Sequence, residues 1–316
     1  MRTWGRCLAA AGVRDGAARG DYGAAARYLR RREPALYTAI RVLGREEYQP
    51  HAVAGYAFGR VTDDLCDRGP SAGRAGRLRT WDAHGRSALA GGPAHHPILR
   101  AYLRSVDARR TPHHWTRTYL DGARADLGDP GFADEDDVQR HVDRLSWPFA
   151  MLTAALAHPG GGSDRFARAC RGLAEAWQRA DFLTDLHEDL DDGRLYLAAD
   201  SLDAHGVTRA DLEAGRSGAP VRALVRASAD AALDAARRAE ALVEEMPGPL
   251  RPLTRFALLM TERRLDKVKT AGDAVARGPV RDDVPGALAL LARVRADDRG
   301  SRAAARPGRD PHLLRH

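Results

Sequence analysis

Lysine is almost missing from this chain. Of its 316 residues, 50 are lysine or arginine, and only Lys267 and Lys269 are lysine. Arginine therefore carries the net charge of +7, and a GC-rich genome accounts for part of this bias. The arginines are scattered among acidic residues rather than grouped on one segment. The charge therefore favours a small anionic substrate over nucleic acid.

Cysteine and long apolar runs are also scarce. Cys7, Cys66 and Cys170 are odd in number and far apart, so they predict neither a disulfide framework nor a zinc site. No apolar run approaches the ~18 residues that a membrane span needs, and the N-terminal apolar patch is too interrupted for a secretory signal. We expect a cytoplasmic protein without a membrane span, for which only peripheral membrane contact stays open.

Strand patterns are missing as well, since no segment alternates convincingly between apolar and polar residues. Apolar residues instead recur at three- and four-residue spacing, which is typical of amphipathic helices. We expect an all-α, single-domain bundle of about ten helices over residues 1–296. Segment 297–316 is rich in arginine, proline and glycine, which predicts a disordered basic tail. Helix breaks are predicted at 68–70, 91–93, 128–131, 159–162 and 246–249, with Ser163 as the cap of the helix after the fourth break.

Residues 55–67, GYAFGRVTDDLCD, carry the first acidic motif. On a helix with ~100° between residues, the apolar side chains share one face, and Asp63 and Asp67 stack one turn apart on the opposite face with Arg60. Like charges at this spacing repel each other by about a few tenths of a kcal/mol. A divalent cation bound between them would offset the repulsion.

Residues 177–197, WQRADFLTDLHEDLDDGRLYL, carry the second acidic motif. The acids that follow one face of this helix are Asp181, Asp185, Glu188, Asp189 and Asp192. Oxygen ligands at helical spacing suit Mg²⁺, which keeps several waters and bridges to substrate phosphates. Arg194 follows directly and can hold a diphosphate through two parallel hydrogen bonds.

A single acidic stripe is most often just a solvated helix face. Two stripes with the same D-x-x-x-D spacing, each on a helix that also has an apolar face, make that explanation weaker. The leading interpretation is metal-assisted handling of a diphosphate, because a metal neutralises the leaving group as a carbon–oxygen bond breaks.

Both motifs resemble the signature regions of the squalene/phytoene synthase family. YAFGRVTDDLCD is similar to the family's first aspartate-rich motif, and DLHEDLDDGRLYL is similar to the second, which is the more specific of the two. Residues 119–127, YLDGARADL, resemble the segment between the motifs, and residues 35–44, ALYTAIRVLG, resemble the opening helix. The similarity covers residues 30–275.

The resemblance implies an all-α fold of the isoprenoid synthase type, with a central cavity in which Mg²⁺ holds an allylic prenyl diphosphate. The implied catalytic residues are Asp63, Asp67, Asp185 and Asp189. The implied metal ligands, direct or through water, are Asp63, Asp64, Asp67, Asp185, Glu188 and Asp189. The expected substrate contacts are Tyr37, Arg60, Trp147, Arg194 and Tyr196.

Several positions depart from the family pattern. Ala35 and Thr184 stand where the family usually has a serine and an arginine, which weakens the case for a second diphosphate. Asp181 replaces an asparagine, and Trp147 lies where small residues usually line the cavity. Some actinobacterial members similar to this sequence prenylate an aromatic acceptor such as a carbazole. We therefore expect prenyl transfer to an aromatic small molecule in secondary metabolism, with the ring stacked on Trp147. Pro148 is expected to bend its helix.

Three alternatives stay open. The first is head-to-head condensation of two prenyl diphosphates to a squalene- or phytoene-type hydrocarbon, and the second is a terpene cyclase on the same metal site. The third is an inactive helical scaffold or nucleic-acid binder, which the basic charge favours slightly. The acidic motifs argue against that third function, because an acidic cleft repels a phosphate backbone.

Overall fold

The computed structural model describes residues 2–128, 131–156, 162–246, 248–281 and 283–304, which form helices and connecting turns but no strand. The predicted all-α class is confirmed. The predicted breaks at 128–131, 159–162 and 246–249 lie partly outside the described residues. Within them, no helix combines the length and the apolar character that crossing a bilayer requires.

Seventeen α-helices lie within the described residues. This number exceeds the roughly ten that the sequence predicts, because several of the predicted helices are interrupted. They are Trp4–Ala10 (α1), Gly16–Arg32 (α2), Pro34–Leu43 (α3), Gln49–Asp67 (α4), Ser71–Leu89 (α5), Pro97–Arg109 (α6), His113–Asp126 (α7), Glu135–His141 (α8), Trp147–Ala154 (α9), Asp164–Thr184 (α10), Leu186–Asp191 (α11), Ala199–Ala204 (α12), Arg209–Glu213 (α13), Ala219–Ala239 (α14), Ala241–Glu245 (α15), Arg251–Ala271 (α16) and Val284–Ala304 (α17). Short π- or 3₁₀-helical turns are formed by Val142–Ser146, Gly248–Leu250 and Gly272–Ala276.

The core is organised around α4 and α10, the helices that carry the two acidic motifs. α4 is buried along most of its length and packs against α2, α5 and α6. α10 packs mainly against α14, and α9 packs against both α4 and α10. The apolar stripe predicted for the second motif is buried at every position: Leu173, Ala176, Ala180, Leu183 and Leu190. The predicted cap of α10 is also confirmed, since Ser163 Oγ accepts a hydrogen bond from the Phe166 N–H at 3.2 Å.

The helix before Pro148 changes its winding, while the bend expected at this proline stays a prediction. α8 continues into a π segment, Val142–Ser146, in which the Trp147 N–H donates to the Val142 carbonyl. Pro148 has no N–H to donate to the Arg144 carbonyl, so this oxygen is left outside the regular α-helical ladder. That carbonyl lies against Gly122 of α7, where an added Cβ would come within 2.2 Å of it.

We predict that Gly122→Ala destabilises the protein. The new methyl group would have to displace backbone rather than a flexible side chain, so the free energy of unfolding should fall by about 2 kcal/mol or more. Urea denaturation measures the change. The matched control is Gly20→Ala on the exposed face of α2, where nothing lies within 4 Å of the added Cβ and stability should rise by up to about 1 kcal/mol. Equal effects of the two variants would contradict the close packing at Gly122.

Buried acids tie neighbouring helices together through arginine. The pairs that join different helices are Asp21–Arg100, Asp82–Arg124 and Glu175–Arg238, with nitrogen–oxygen distances of 2.6, 3.0 and 3.0 Å. Each of these acids contacts at least one further arginine. Part of the arginine excess is therefore structural, because the planar guanidinium group satisfies both oxygens of a buried carboxylate better than lysine does.

Glu175 provides a pH test of these pairs. Burial alone would raise its pKa, but a hydrogen bond from Gln139 and the charges of Arg179 and Arg238 outweigh burial and hold the pKa below its ordinary value of 4.5. The folded protein therefore favours the carboxylate. Its stabilising effect is complete above the unfolded pKa and is lost as the pH falls through the folded pKa.

We predict that Glu175→Gln lowers the free energy of unfolding by about 1–3 kcal/mol at pH 7. The difference from the wild type should shrink as the pH falls below ~4.5. Urea titrations over a pH series measure it, with Glu213→Gln, an exposed acid paired with Arg209, as the control that changes stability by less than about 0.5 kcal/mol. A pH-independent difference would show that Glu175 acts through packing alone.

The last helix extends into the segment that the sequence assigned to a disordered tail, and the domain boundary at residue 296 stays a prediction. α17 runs to Ala304 and so includes residues 297–304, which the sequence assigned to the tail. The helix continues because alanine and arginine favour it and no proline or glycine pair interrupts these residues. Residues 305–316 lie outside the described part of the chain.

Candidate active site

The first acidic motif lies in the C-terminal half of α4. Asp63 Oδ1 accepts a hydrogen bond from the Tyr119 hydroxyl at 2.8 Å, and its Oδ2 lies 3.9 Å from a terminal nitrogen of Arg60. The side chains of Asp63 and Asp181 are 38% and 50% exposed, although protein surrounds both of them closely enough to desolvate them. Carboxylates that are partly exposed yet closely surrounded by protein lie in a recess, which we call the cleft.

The second acidic motif does not lie on one continuous helix, which corrects the prediction. α10 ends at Thr184, Asp185 forms the junction, and α11 begins at Leu186. The four-residue spacing nevertheless survives. The Asp185 N–H donates to the Asp181 carbonyl, and the Asp189 N–H donates to the Asp185 carbonyl, both at 2.9 Å. The three aspartates therefore still follow one face across the break.

Arg194 joins the two motifs. One terminal nitrogen of its guanidinium lies 3.0 Å from Asp67 Oδ1, and the other lies 3.0 Å from Asp189 Oδ1. The same group lies 5.9 Å from the centre of the Tyr196 ring. Arg60 occupies a second position among the acids, 3.4 Å from Glu33. The predicted residues Asp67, Asp189, Arg194 and Tyr196 are thus neighbours.

The acids between these arginines carry more negative charge than the arginines balance. Burial is the main cause of their raised pKa values, about 7 for Asp63 and Asp189 and about 6 for Asp181. Repulsion adds to burial, since Asp67 acts on both Asp63 and Asp189, and Asp185 acts on both Asp181 and Asp189. A bound cation would relieve both effects.

These residues fit a divalent metal of the kind that keeps much of its water. Within the described part of the chain, no three acidic, histidine or cysteine side chains are grouped closely enough to hold a metal by themselves. Mg²⁺ does not need such a cage, because it is commonly bound through one or two carboxylates together with substrate phosphates. Asp63, Asp67, Asp185 and Asp189 offer carboxylates on two sides of the cleft for this purpose.

Asp64 and Glu188, also expected among the metal ligands, have other surroundings. Asp64 Oδ2 accepts hydrogen bonds from Tyr28 and from Arg32, the latter at 2.6 and 2.8 Å, and its Oδ1 lies 2.8 Å from Arg68 Nε. Burial would raise the pKa of Asp64, but the hydrogen bonds from Tyr28 and Arg32 and the charges of Arg60 and Arg32 hold it below its ordinary value. Glu188 is 60% exposed and lies 3.9 Å from Arg281. Metal binding by either residue stays a prediction.

We predict that Asp64→Asn acts mainly on stability. Removing the charge leaves Arg32 and Arg68 without their partner, so the free energy of unfolding should fall by about 1–3 kcal/mol. The Mg²⁺ concentration for half-maximal turnover should change little, whereas Asp63→Asn should raise it strongly. Urea denaturation and a metal titration of turnover measure the two effects. A similar rise in both variants would show that Asp64 is a ligand, as the family resemblance implies.

The aromatic residue predicted to face an acceptor ring is engaged in packing. Trp147 Nε1 donates to the Ala167 carbonyl at 3.0 Å, and the ring lies 5.3 Å from that of Trp115. Phe149, the other aromatic residue of α9, lies against α4. A Cβ added to Gly59 would come within 2.0 Å of the Phe149 ring, so only glycine lets the ring rest on the helix one turn before Asp63. Substrate contact by Trp147 stays a prediction.

Two other predicted substrate contacts differ in position. Tyr37 is half-buried and packs against the core that contains α4. Tyr196 stacks on Phe182 with ring centres 4.9 Å apart, and its hydroxyl donates to Asp126 at 3.3 Å. The Tyr196 ring therefore lies beside the Arg194 guanidinium, while the Tyr196 hydroxyl contacts Asp126, which belongs to neither acidic motif.

Sequence reasoning missed three residues of the site: Tyr119, Phe149 and Arg264. Tyr119 opens the segment YLDGARADL, and its hydrogen bond to Asp63 spans 56 positions of sequence. Arg264 of α16 approaches Asp181 at 3.3 Å, on the side of the motif where Thr184 replaces an arginine. The family resemblance of YLDGARADL was the only signal that pointed to any of the three.

The sequence matches the squalene/phytoene synthase family over residues 29–285, and the chain belongs to this family. Members of the family transfer prenyl groups with release of diphosphate and generally use a divalent metal. The chain is 34% identical over 182 residues to the bifunctional protein CrtB/UppS of Streptomyces coelicolor, a match that covers 57% of this chain and 32% of that one. It is 31% identical over 208 residues to the phytoene synthase of Thermus thermophilus, covering 65% and 68% of the two chains.

Solved structures agree on the architecture. The squalene synthase HpnC of Alicyclobacillus acidocaldarius superposes with a TM-score of 0.73 at 24% identity, covering 85% of this chain and 99% of that one. A dehydrosqualene synthase in complex with a ligand superposes with a TM-score of 0.79 at 19% identity, covering 90% and 98%. At these identities the likeness establishes the fold, and the predicted isoprenoid synthase type is confirmed.

Proposed function

We propose that this chain is an Mg²⁺-dependent prenyltransferase that ionises an allylic prenyl diphosphate between its two acidic motifs. The observation that carries the proposal is the group of facing carboxylates with raised pKa values, placed between Arg60 and Arg194 in one cleft. The family generally uses a divalent metal, and carboxylate oxygens are the hard ligands that suit Mg²⁺.

Each group in the cleft has a defined task in this reaction. The chemistry that bound Mg²⁺ supplies is neutralisation of the departing diphosphate. Asp63, Asp67, Asp185 and Asp189 provide its carboxylate ligands. Once its acidic partners bind the metal, Arg194 can form a two-pronged hydrogen bond to diphosphate oxygens. The enclosed cleft limits the access of water to the allylic cation.

The carbon–oxygen bond of the donor breaks with both electrons leaving on diphosphate, and a new carbon–carbon bond then forms to the acceptor. Two acceptors are supported by different observations. The names of the relatives, phytoene synthase and presqualene diphosphate synthase, favour a second prenyl diphosphate. The missing serine and arginine at Ala35 and Thr184 favour an acceptor without a diphosphate, such as an electron-rich aromatic ring in secondary metabolism. Its ring proton would go to the released diphosphate.

The surroundings of Thr184 support an acceptor without a diphosphate. It is buried, and its hydroxyl donates to Asp185 Oδ1 at 3.0 Å, so it brings no positive charge to the cleft. Arg264 supplies a guanidinium on this side, but it comes from a different helix and lies beside Asp181. Binding of a second diphosphate would depend on Arg264.

The deciding experiment is an incubation with Mg²⁺ and labelled dimethylallyl, geranyl, farnesyl or geranylgeranyl diphosphate, with and without hydroxylated carbazoles and indoles. Products are identified by mass. A hydrocarbon of twice the donor's carbon number without acceptor establishes head-to-head condensation. A product that appears only with an aromatic compound establishes aromatic transfer. A hydrocarbon of the donor's own carbon number indicates a cyclase, and no diphosphate release from any donor contradicts the proposal.

We predict that Asp185→Asn abolishes turnover by at least about 100-fold while the far-UV circular dichroism stays unchanged. The carboxylate is exposed to the cleft, and its hydrogen bond from the Thr184 hydroxyl can still be accepted by the amide oxygen of asparagine, so the substitution should remove a metal ligand without unfolding the protein. Asp191→Asn is the matched control: it lies in the same acidic run, but its side chain is 74% exposed and pairs with His187. Near-normal turnover by Asp185→Asn would refute the metal site.

A further inference from the structure

We propose that Tyr119 is a positioning residue that fixes the carboxylate of Asp63 for metal binding. The inference rests on the proposed function, because it gives Tyr119 a role in the same diphosphate site. It concerns a buried residue that would act on the site through Asp63 and not by binding the substrate.

The geometry of the contact is specific. Tyr119 extends from α7, and its hydroxyl donates to Asp63 Oδ1 at 2.8 Å. The same hydroxyl lies 3.2 Å from the carbonyl oxygen of Gly59, one turn earlier on α4. One proton is therefore shared between the carboxylate and the backbone that carries it. This arrangement holds Asp63 in one orientation relative to its own helix.

The hydroxyl has little freedom to move. The Tyr119 side chain is 1% exposed, and its ring is held between Phe58 and Phe149, with ring centres 6.2 and 5.5 Å away. An anchored donor costs little entropy when it orders its acceptor, since its own rotamer is already fixed. The packing of the Tyr119 ring against α4 and α9 therefore fixes the orientation of the Asp63 carboxylate.

The two oxygens of Asp63 consequently have different roles. Tyr119 occupies Oδ1, which leaves Oδ2 on the side of the cleft, where Arg60 is 3.9 Å away. A neutral hydroxyl donor orients the carboxylate without neutralising it, whereas an arginine in the same place would compete with a metal for the charge. Asp63 therefore presents a directed oxygen that Tyr119 leaves available to a cation.

Tyr102 provides a matched comparison inside the same aromatic cluster. It is also fully buried and stacks on Phe58 with ring centres 4.2 Å apart. Its hydroxyl pairs with Thr116 at 2.5 Å and contacts no acid. Replacing either tyrosine by phenylalanine removes one buried hydroxyl from the same core, and only the Tyr119 variant releases a carboxylate of the cleft.

The test compares Tyr119→Phe with Tyr102→Phe and the wild type. The melting temperature is followed as Mg²⁺ is titrated in the presence of inorganic diphosphate, and turnover is followed over the same Mg²⁺ range. We expect Tyr119→Phe to need at least about 10-fold more Mg²⁺ for half-maximal stabilisation and turnover, with much of kcat restored at saturating Mg²⁺. Tyr102→Phe should keep the wild-type Mg²⁺ dependence even if it lowers the melting temperature of the unloaded protein.

The outcomes separate this inference from the proposed function. If the wild type responds to Mg²⁺ and diphosphate and Tyr119→Phe responds at the same concentration, the positioning role is refuted and the proposed function stands. The same holds if Tyr102→Phe shifts the Mg²⁺ dependence as far as Tyr119→Phe, because the effect is then one of core packing. If the wild type itself does not respond, both proposals fail.

Discussion

The guanidinium group of Arg194 is the contact on which the candidate site depends. It reaches Asp67 at the end of α4 and Asp189 on α11, and so joins two acidic segments that would otherwise repel each other across the cleft. Arg60 likewise lies between two acids, Asp63 of the first motif and Glu33 at the start of α3. The two arginines reduce the repulsion among these acids without cancelling their negative charge, and the surplus can attract a divalent cation, which in turn can bind a diphosphate.

The same pairing of buried acid and arginine recurs throughout the bundle. Asp21, Asp82 and Glu175 each hold arginines from a neighbouring helix. Asp21 and Glu175 have enough positive partners to hold their pKa values below the ordinary range despite burial. The acids of the cleft have too few partners and show the opposite shift. The two groups of acids therefore differ in how much positive charge offsets the effect of burial on each of them.

Helical periodicity predicted the all-α class, the buried stripe of α10 and the four-residue spacing of the acids, because these depend on which residues share a face. It did not predict the break at Asp185. The hydrogen bonds from residue i+4 to residue i continue on both sides of the break, so the four-residue spacing in the sequence looks the same as in an unbroken helix. Nor did it show that Asp64 pairs with Arg32 or that Trp147 packs on Trp115. Periodicity indicates which residues share a face of a helix, but not which other helix packs against that face. Those contacts join residues far apart in sequence, and only the packing of α2, α7 and α9 creates them.

The π segment before α9 has a consequence for how relatives of this fold differ. A π turn is equivalent to one residue inserted into an α-helix, and an insertion rotates every later side chain by ~100° about the helix axis. Without it, Phe149 would leave the surface of α4 and another side chain would meet Gly59. Two chains with identical acidic motifs would then have differently shaped cleft walls. In this architecture, the choice of acceptor can diverge through helix register while the diphosphate chemistry stays unchanged.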